Sequence, residues 1–298
     1  MGSGGAGQLS PKPRTWWERI GNALVYSHVW IGLGAAGQVL LAGVYRAQGF
    51  SSALFCYALL VFAAGVSFYS FHRLYSLWKV LPHLREERWR VIFGYQRLLF
   101  ALVPLGVIVA AVCFVFLPRH WQIQTIIPAI VSAAYALPLV RGKRMRDFGA
   151  GKVIWLSIGW VWLCTLVPFA AGGDVPKLLV AERLCFLVAL TLPFDYRDLA
   201  HDATEGVRTL PQILGRQGCR VVSLVLLFAG IGLLLLHDVD GYDELAGHIV
   251  LLVQYVLTLP LVFVAYRTRP LHHLYYGSVL DGLLLLPAVL IFCLWYYT

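Results

Sequence analysis

Long apolar runs recur along this chain with little between them. Nine of them, at 23–45, 51–72, 95–117, 121–140, 152–171, 177–195, 219–236, 246–266 and 275–297, each hold about 20 mostly apolar residues. A helix of about 20 residues rises ~30 Å, the thickness of a bilayer's hydrocarbon core. Inside that core every backbone N–H and C=O must find its partner within the chain, which leaves helices as the spanning element. The expectation is an all-α polytopic membrane protein with about nine transmembrane helices. It divides into an N-terminal tail at 1–22 and a single membrane domain at 23–298. Composition agrees: 59% of residues are hydrophobic, 13% are charged and the mean hydropathy is +0.73. Soluble domains carry about half apolar and a quarter charged residues.

The basic residues set an orientation. With the N-terminus in the cytoplasm, 20 of the 24 Lys and Arg fall in cytoplasmic segments, and only Arg46, Arg119, Lys177 and Arg183 lie outside. That asymmetry follows the positive-inside rule and suits an odd number of spans. The pI of about 9.4 therefore reports topology and contact with anionic membrane lipid. No soluble basic domain or nucleic-acid-binding motif accompanies it, so nucleic acid is not an expected partner. The first ten residues are small and polar, unlike a cleavable signal peptide.

Two formal motifs reduce to packing. The six cysteines are scattered, mostly within spans, and never form C-x-x-C, so they read as small apolar packing residues. "GLGAAG" at Gly32–Gly37 spells a dinucleotide fingerprint but lies inside the first span with no strand before it. Small residues that let two membrane helices approach closely explain it better.

The stretch "PFDYRDLAHDATEGVRTLPQILG", Pro193 to Gly215, carries the chemistry. Asp195, Asp198 and Asp202 fall at relative positions 0, 3 and 7, within roughly 60° of one another on a continuous helix. Three carboxylates on one stripe repel one another unless a cation sits among them. "RDLAHDATEGVRTLPQILG" closely resembles the second aspartate-rich motif of the UbiA superfamily of intramembrane prenyltransferases. Asp198 and Asp202 match its D-x-x-x-D, and Gly206, Arg208, Thr209, Leu210 and Gly215 match the pattern that follows. "YALPLVRGKR", Tyr135–Arg144, resembles the family's Tyr-then-basic stretch.

The resemblance implies a nine-helix UbiA-like fold in the bacterial inner membrane with a cytoplasmic site. It implies Mg²⁺ as cofactor, an isoprenyl diphosphate as donor and a lipophilic acceptor. Two carboxylates at i, i+4 suit Mg²⁺, which keeps several waters and bridges to phosphate oxygens. Asp198 and Asp202 would be both catalytic and metal-ligating, with Asp195 reaching the metal through water. Arg73, His72, Arg141, Lys143, Arg144, Lys152 and Arg208 would meet the diphosphate as its C–O bond breaks toward an allylic cation.

The family's first motif, N-x-x-x-D-x-x-x-D at the end of the second span, is absent. No Asp or Glu occurs between Glu18 and Glu86, and "FYSFHRLYSLWK" puts His72, Arg73 and Lys79 there. Three accounts follow. Arg73 replaces the charge of a second metal and prenyl transfer survives; or the chain is an intramembrane terpene cyclase; or catalysis is lost and the fold binds a lipid or quinone. Single residues carry two readings each. Asp281, well inside the last span, is either a polar cavity wall or one half of a packing salt bridge to Lys152 or Arg73. Lys152 either meets substrate or snorkels to the headgroups. His72 is either a substrate contact or a structural hydrogen-bonded histidine.

Overall fold

The computed structural model describes residues 15–45, 51–80, 87–136, 149–171, 173, 175–204, 206, 208–238, 242–267, 271 and 274–297. They form helices joined by short turns, with no strand among them. Helix α1 (Trp16–Tyr26) turns by 62° into α2 (Val29–Val44). Then come α3 (Ser52–Val80), α4 (Glu87–Gly94), α5 (Gln96–Phe116) and α6 (Arg119–Ala136). Helix α7 (Lys152–Val161) runs through a π-helical turn, Trp162–Leu166, into the short α8 (Val167–Ala170). Pro168 has no N–H to give the carbonyl one turn back, and the widened turn just before it absorbs that loss. Helices α9 (Lys177–Arg197), α10 (Leu199–Thr204), α11 (Leu210–Leu235) and α12 (Tyr242–Ala265) follow. The last rod is a π-helical turn, Tyr275–Leu280, leading into α13 (Asp281–Tyr297).

Helix is present at each of the nine predicted positions among the described residues. Apolarity and length alone qualify six of these rods to cross a membrane, or seven with α1 and α2 taken as one bent span. The chain is an integral membrane protein on that ground. The two rods that fall short are α6 and α9. Helix α9 carries Lys177, Glu182, Arg183, Asp195 and Arg197, and the bundle rather than lipid surrounds it: Glu182 is 0% and Arg183 2% exposed. Arg183 is thus a core residue and not the outside-loop charge its place in the sequence suggested. Helix α1 begins at Trp16, inside the stretch expected to be tail. Trp16, Trp17 and Ile20 lie on its exposed side.

Packing follows side-chain size. Helix α2 lies against both α13 and α3, α3 against α5, α9 against α11, and α7 against α9. The glycines of "GLGAAG" make the first contact possible. A Cβ on Gly34 would sit 2.9 Å from the Leu284 Cβ, and one on Gly37 2.9 Å from the Ala288 Cβ. Around this centre, Val153, Phe186, Leu190, Leu227, Tyr255 and Leu280 form a buried core. The outer surface is apolar: Val107, Ile108, Val115 and Phe116 of α5, Ile127 and Ile130 of α6, and Val225 and Phe228 of α11 are exposed. Such a belt is unstable in water and matched by lipid tails.

Candidate functional site

A cavity of ≈ 230 Å³ opens where one end of α3, α7 and α9 meets α2 and the π-turn before α13. Three of its acids come from the aspartate-rich stretch or from α13, and each has a distinct environment. Lys152, the first residue of α7, places its Nζ 2.9 Å from Asp195 Oδ1 and 3.1 Å from Asp202 Oδ2. The three side chains are 11%, 6% and 3% exposed, so this is a buried, bridged ion triad. Its position depends on a local feature of the backbone. Gly149 takes a positive φ of 77° just before α7, and a Cβ there would lie 2.8 Å from the Arg208 carbonyl oxygen. That close approach ties the start of α7 to the segment following α10.

Asp198 goes elsewhere. Helix α9 ends at Arg197, and Asp198 caps it with φ −88° and ψ 6° before α10 starts at Leu199. The single acidic stripe expected of a continuous helix is therefore broken. Asp195 and Asp202 converge on Lys152, while Arg197 donates to Asp198 from Nε and from a terminal nitrogen, both at 2.9 Å. No group of three His, Cys, Asp or Glu side chains among the described residues is placed to hold one metal ion. The convergent pair is the i, i+7 one, Asp195 with Asp202, rather than Asp198 with Asp202.

The remaining expected residues divide. His72, Arg73, Lys152, Asp195, Asp198 and Asp281 all line the cavity. The Arg73 guanidinium lies 5.9 Å over the Trp89 ring, one wall of the same space. Asp281 lies within electrostatic reach of Arg197 and Arg73. Arg208 is exposed and outside the cavity lining. Arg141, Lys143 and Arg144 lie outside the described residues.

Several residues that shape the site escaped sequence reading. Arg197 lies with its guanidinium 5.3 Å over Phe194 and 5.0 Å over Tyr276; its place beside Asp198 was the available signal. His28, at the bend between α1 and α2, has a left-handed backbone with φ 61°, and its Nδ1 lies 3.3 Å from Ser70 Oγ. Trp160 Nε1 donates to the Tyr69 hydroxyl at 2.9 Å, locking two aromatic walls together. Nothing in the local sequence marks His28, Tyr69 or Trp160. Phe68, Tyr69, Tyr135 and Trp160 also line a second, largely apolar cavity of ≈ 270 Å³ between α3, α6 and α7. Polar mouth and apolar annex share an aromatic partition.

No protein-family model matches the chain, and no curated protein matches it in sequence. Solved structures do match it in shape. A UbiA homologue from Aeropyrum pernix superimposes with a TM-score of 0.64 at 15% identity, over 89% of this chain and 96% of the other. A UbiA homologue from Archaeoglobus fulgidus bound to GPP and Mg²⁺ gives a TM-score of 0.65 at 11% identity, over 92% and 98%. The same homologue bound to DMAPP and Mg²⁺ gives 0.63 at 11%, over 90% and 97%. The chain has a UbiA-like fold. The likeness is one of shape, over about nine-tenths of the chain at 11–15% identity.

Proposed function

We propose that this protein transfers an isoprenyl group from its diphosphate to a lipophilic acceptor within the membrane, as a member of the UbiA superfamily. The observation that carries the reading is the cavity itself. Asp195 and its partner Lys152 line it with Arg73, His72 and Arg197, and it shares aromatic walls with a second, apolar cavity in a UbiA-like bundle. The A. fulgidus homologue bound to GPP and Mg²⁺ supports the same donor class and the same metal here.

The donor set fits Mg²⁺. Asp195 and Asp202 are hard oxygen ligands that already flank a cationic nitrogen, and Mg²⁺ is commonly held by one or two carboxylates plus water and substrate phosphates. When bound, it supplies charge neutralisation to the leaving diphosphate. The rest is the work of this chain's residues. Arg73 and His72 stand where the family's first acidic motif would be and bind diphosphate oxygens directly; a guanidinium is well shaped for that role. Arg208, exposed on the segment after α10, adds a further positive charge. Tyr69, Trp160 and Phe194 present π faces to the allylic cation as the C–O bond breaks, and exclude water that would capture it. The apolar annex receives the isoprenoid tail, and Asp281 forms the polar wall on the acceptor's side.

A second reading has its own support. Each of the three aspartates of the stretch is paired with a basic side chain, Lys152 or Arg197, as suits a fold that binds a lipid or quinone without turnover. Diphosphate release separates the two readings. Purified protein in detergent with Mg²⁺ and geranyl or farnesyl diphosphate should release diphosphate when a membrane lipid extract supplies the acceptor. Absence of release from every donor, with binding retained, favours the non-catalytic reading.

A further inference from the structure

We infer that Lys152 is a tethered cation that occupies the divalent-metal position in the resting protein, so that a metal ion binds only by displacing it. The inference rests on the reading that Asp195 and Asp202 are the metal-holding pair. Its basis is the arrangement of the triad. One ammonium bridges two carboxylates from different helices, at 2.9 and 3.1 Å, with all three groups almost removed from solvent. Asp198 is engaged separately, by Arg197, which donates to both its oxygens. Each of the three aspartates is thus paired with a basic side chain of the chain itself, and His72 and Arg73 stand where the family's other acidic arm would be.

Displacement has a consequence. A buried ammonium stripped of both carboxylates is strongly disfavoured unless it finds another anion. Lys152 and Asp195 line the cavity, so the nearest new partner is an anion entering that space. A diphosphate is such an anion. Metal binding and diphosphate binding are therefore coupled through Lys152: each frees or satisfies what the other leaves behind. Coupling of this kind is reciprocal. Without diphosphate, Lys152 protects the aspartate pair from mutual repulsion and from stray cations. With it, the ammonium becomes a phosphate ligand.

The test is metal binding to the full chain, read by the electron paramagnetic resonance signal of free Mn²⁺, with no donor present. Lys152→Met should bind Mn²⁺ about tenfold more tightly than wild type, within the range usual for coupled sites. Lys152→Arg, which keeps the charge, should match wild type. Lys152→Met with Asp195→Asn should lose the gain, which identifies the carboxylates as the ligands. If Lys152→Met does not fold, the wild type still decides the matter: Mn²⁺ raised until its own binding saturates should increase acetylation of Lys152 by acetic anhydride, read by peptide mass spectrometry. Equal or weaker Mn²⁺ binding by Lys152→Met, binding by neither protein, or labelling that Mn²⁺ leaves unchanged overturns the inference. Diphosphate release by wild type reports on prenyl transfer independently, so the two can fail separately.

Discussion

Arg197 grips the carboxylate of its own chain neighbour, Asp198, through two parallel hydrogen bonds of 2.9 Å, while its guanidinium lies over the rings of Phe194 and Tyr276. This pair remains about one-fifth exposed, unlike the Lys152 triad one turn away on either side. Adjacent acids in one motif therefore sit in different electrostatic environments, and their substitutions should separate.

Asp198→Asn should cost at most about 1 kcal/mol, because a partly exposed ion pair is screened by water. Asp202→Asn turns one buried cation with two carboxylates into a neutral Lys152–Asp195 pair, relieves the repulsion between the acids and should be neutral or stabilising. Thermal unfolding in a single detergent compares them. Equal losses would mean that the triad is not buried as described.

Arg73→Ala should lower geranyl diphosphate affinity and diphosphate release by at least about tenfold, the value of one charge-assisted anion contact. Arg73→Lys should recover only part, since an ammonium lacks the planar fork and stacks less well over Trp89. Isothermal titration with the donor and a coupled release assay check both. Full activity in Arg73→Ala would move the diphosphate away from this wall.

Deep in the bundle, Arg183 is bonded to Glu182, and also donates to Gln38 Oε1 at 3.2 Å and to Gln254 Oε1 at 2.9 Å. The two glutamines donate in turn to the carbonyls of Leu284 and Leu283, so one ion pair ties α9 to α2, α12 and α13. Arg183→Met leaves a carboxylate buried alone and should cost about 3–5 kcal/mol. Adding Glu182→Gln should restore much of that loss. A double-mutant cycle by thermal unfolding measures the coupling, and strictly additive losses would refute it.

Gly34→Leu should separate α2 from α13 and destabilise the protein by roughly 1–3 kcal/mol, since even a Cβ there meets Leu284. Gly159→Ala is the control: a Cβ at that position meets nothing within 4 Å, and its effect should stay within about 0.5 kcal/mol. Unfolding of both variants in one detergent provides the comparison.

Much of the fold was readable because the bilayer imposes a local rule. Apolar length alone marks α3, α5, α11, α12 and α13, whatever packs beside them. The rule weakens for α9, whose polar residues face other helices rather than lipid. Glu182 and Arg183 lie in an apolar run, and nothing local names Gln38 and Gln254 as partners of Arg183. The same limit applied at the mouth. Asp195, Asp198 and Asp202 were conspicuous, whereas their division into a pair and a single depends on a helix ending at Arg197.

Apolar run length and one motif were sufficient for the class of protein and its UbiA-like fold. Each is a property of neighbours along the chain. The cation between Asp195 and Asp202 is of another kind: Lys152 lies more than 40 positions away, brought there by the packing of α7 on α9 and the Gly149–Arg208 approach. In a low-dielectric interior, a charge is stable only with its partner in reach. Which charges meet is therefore settled by how the helices pack, and local sequence carries no record of it.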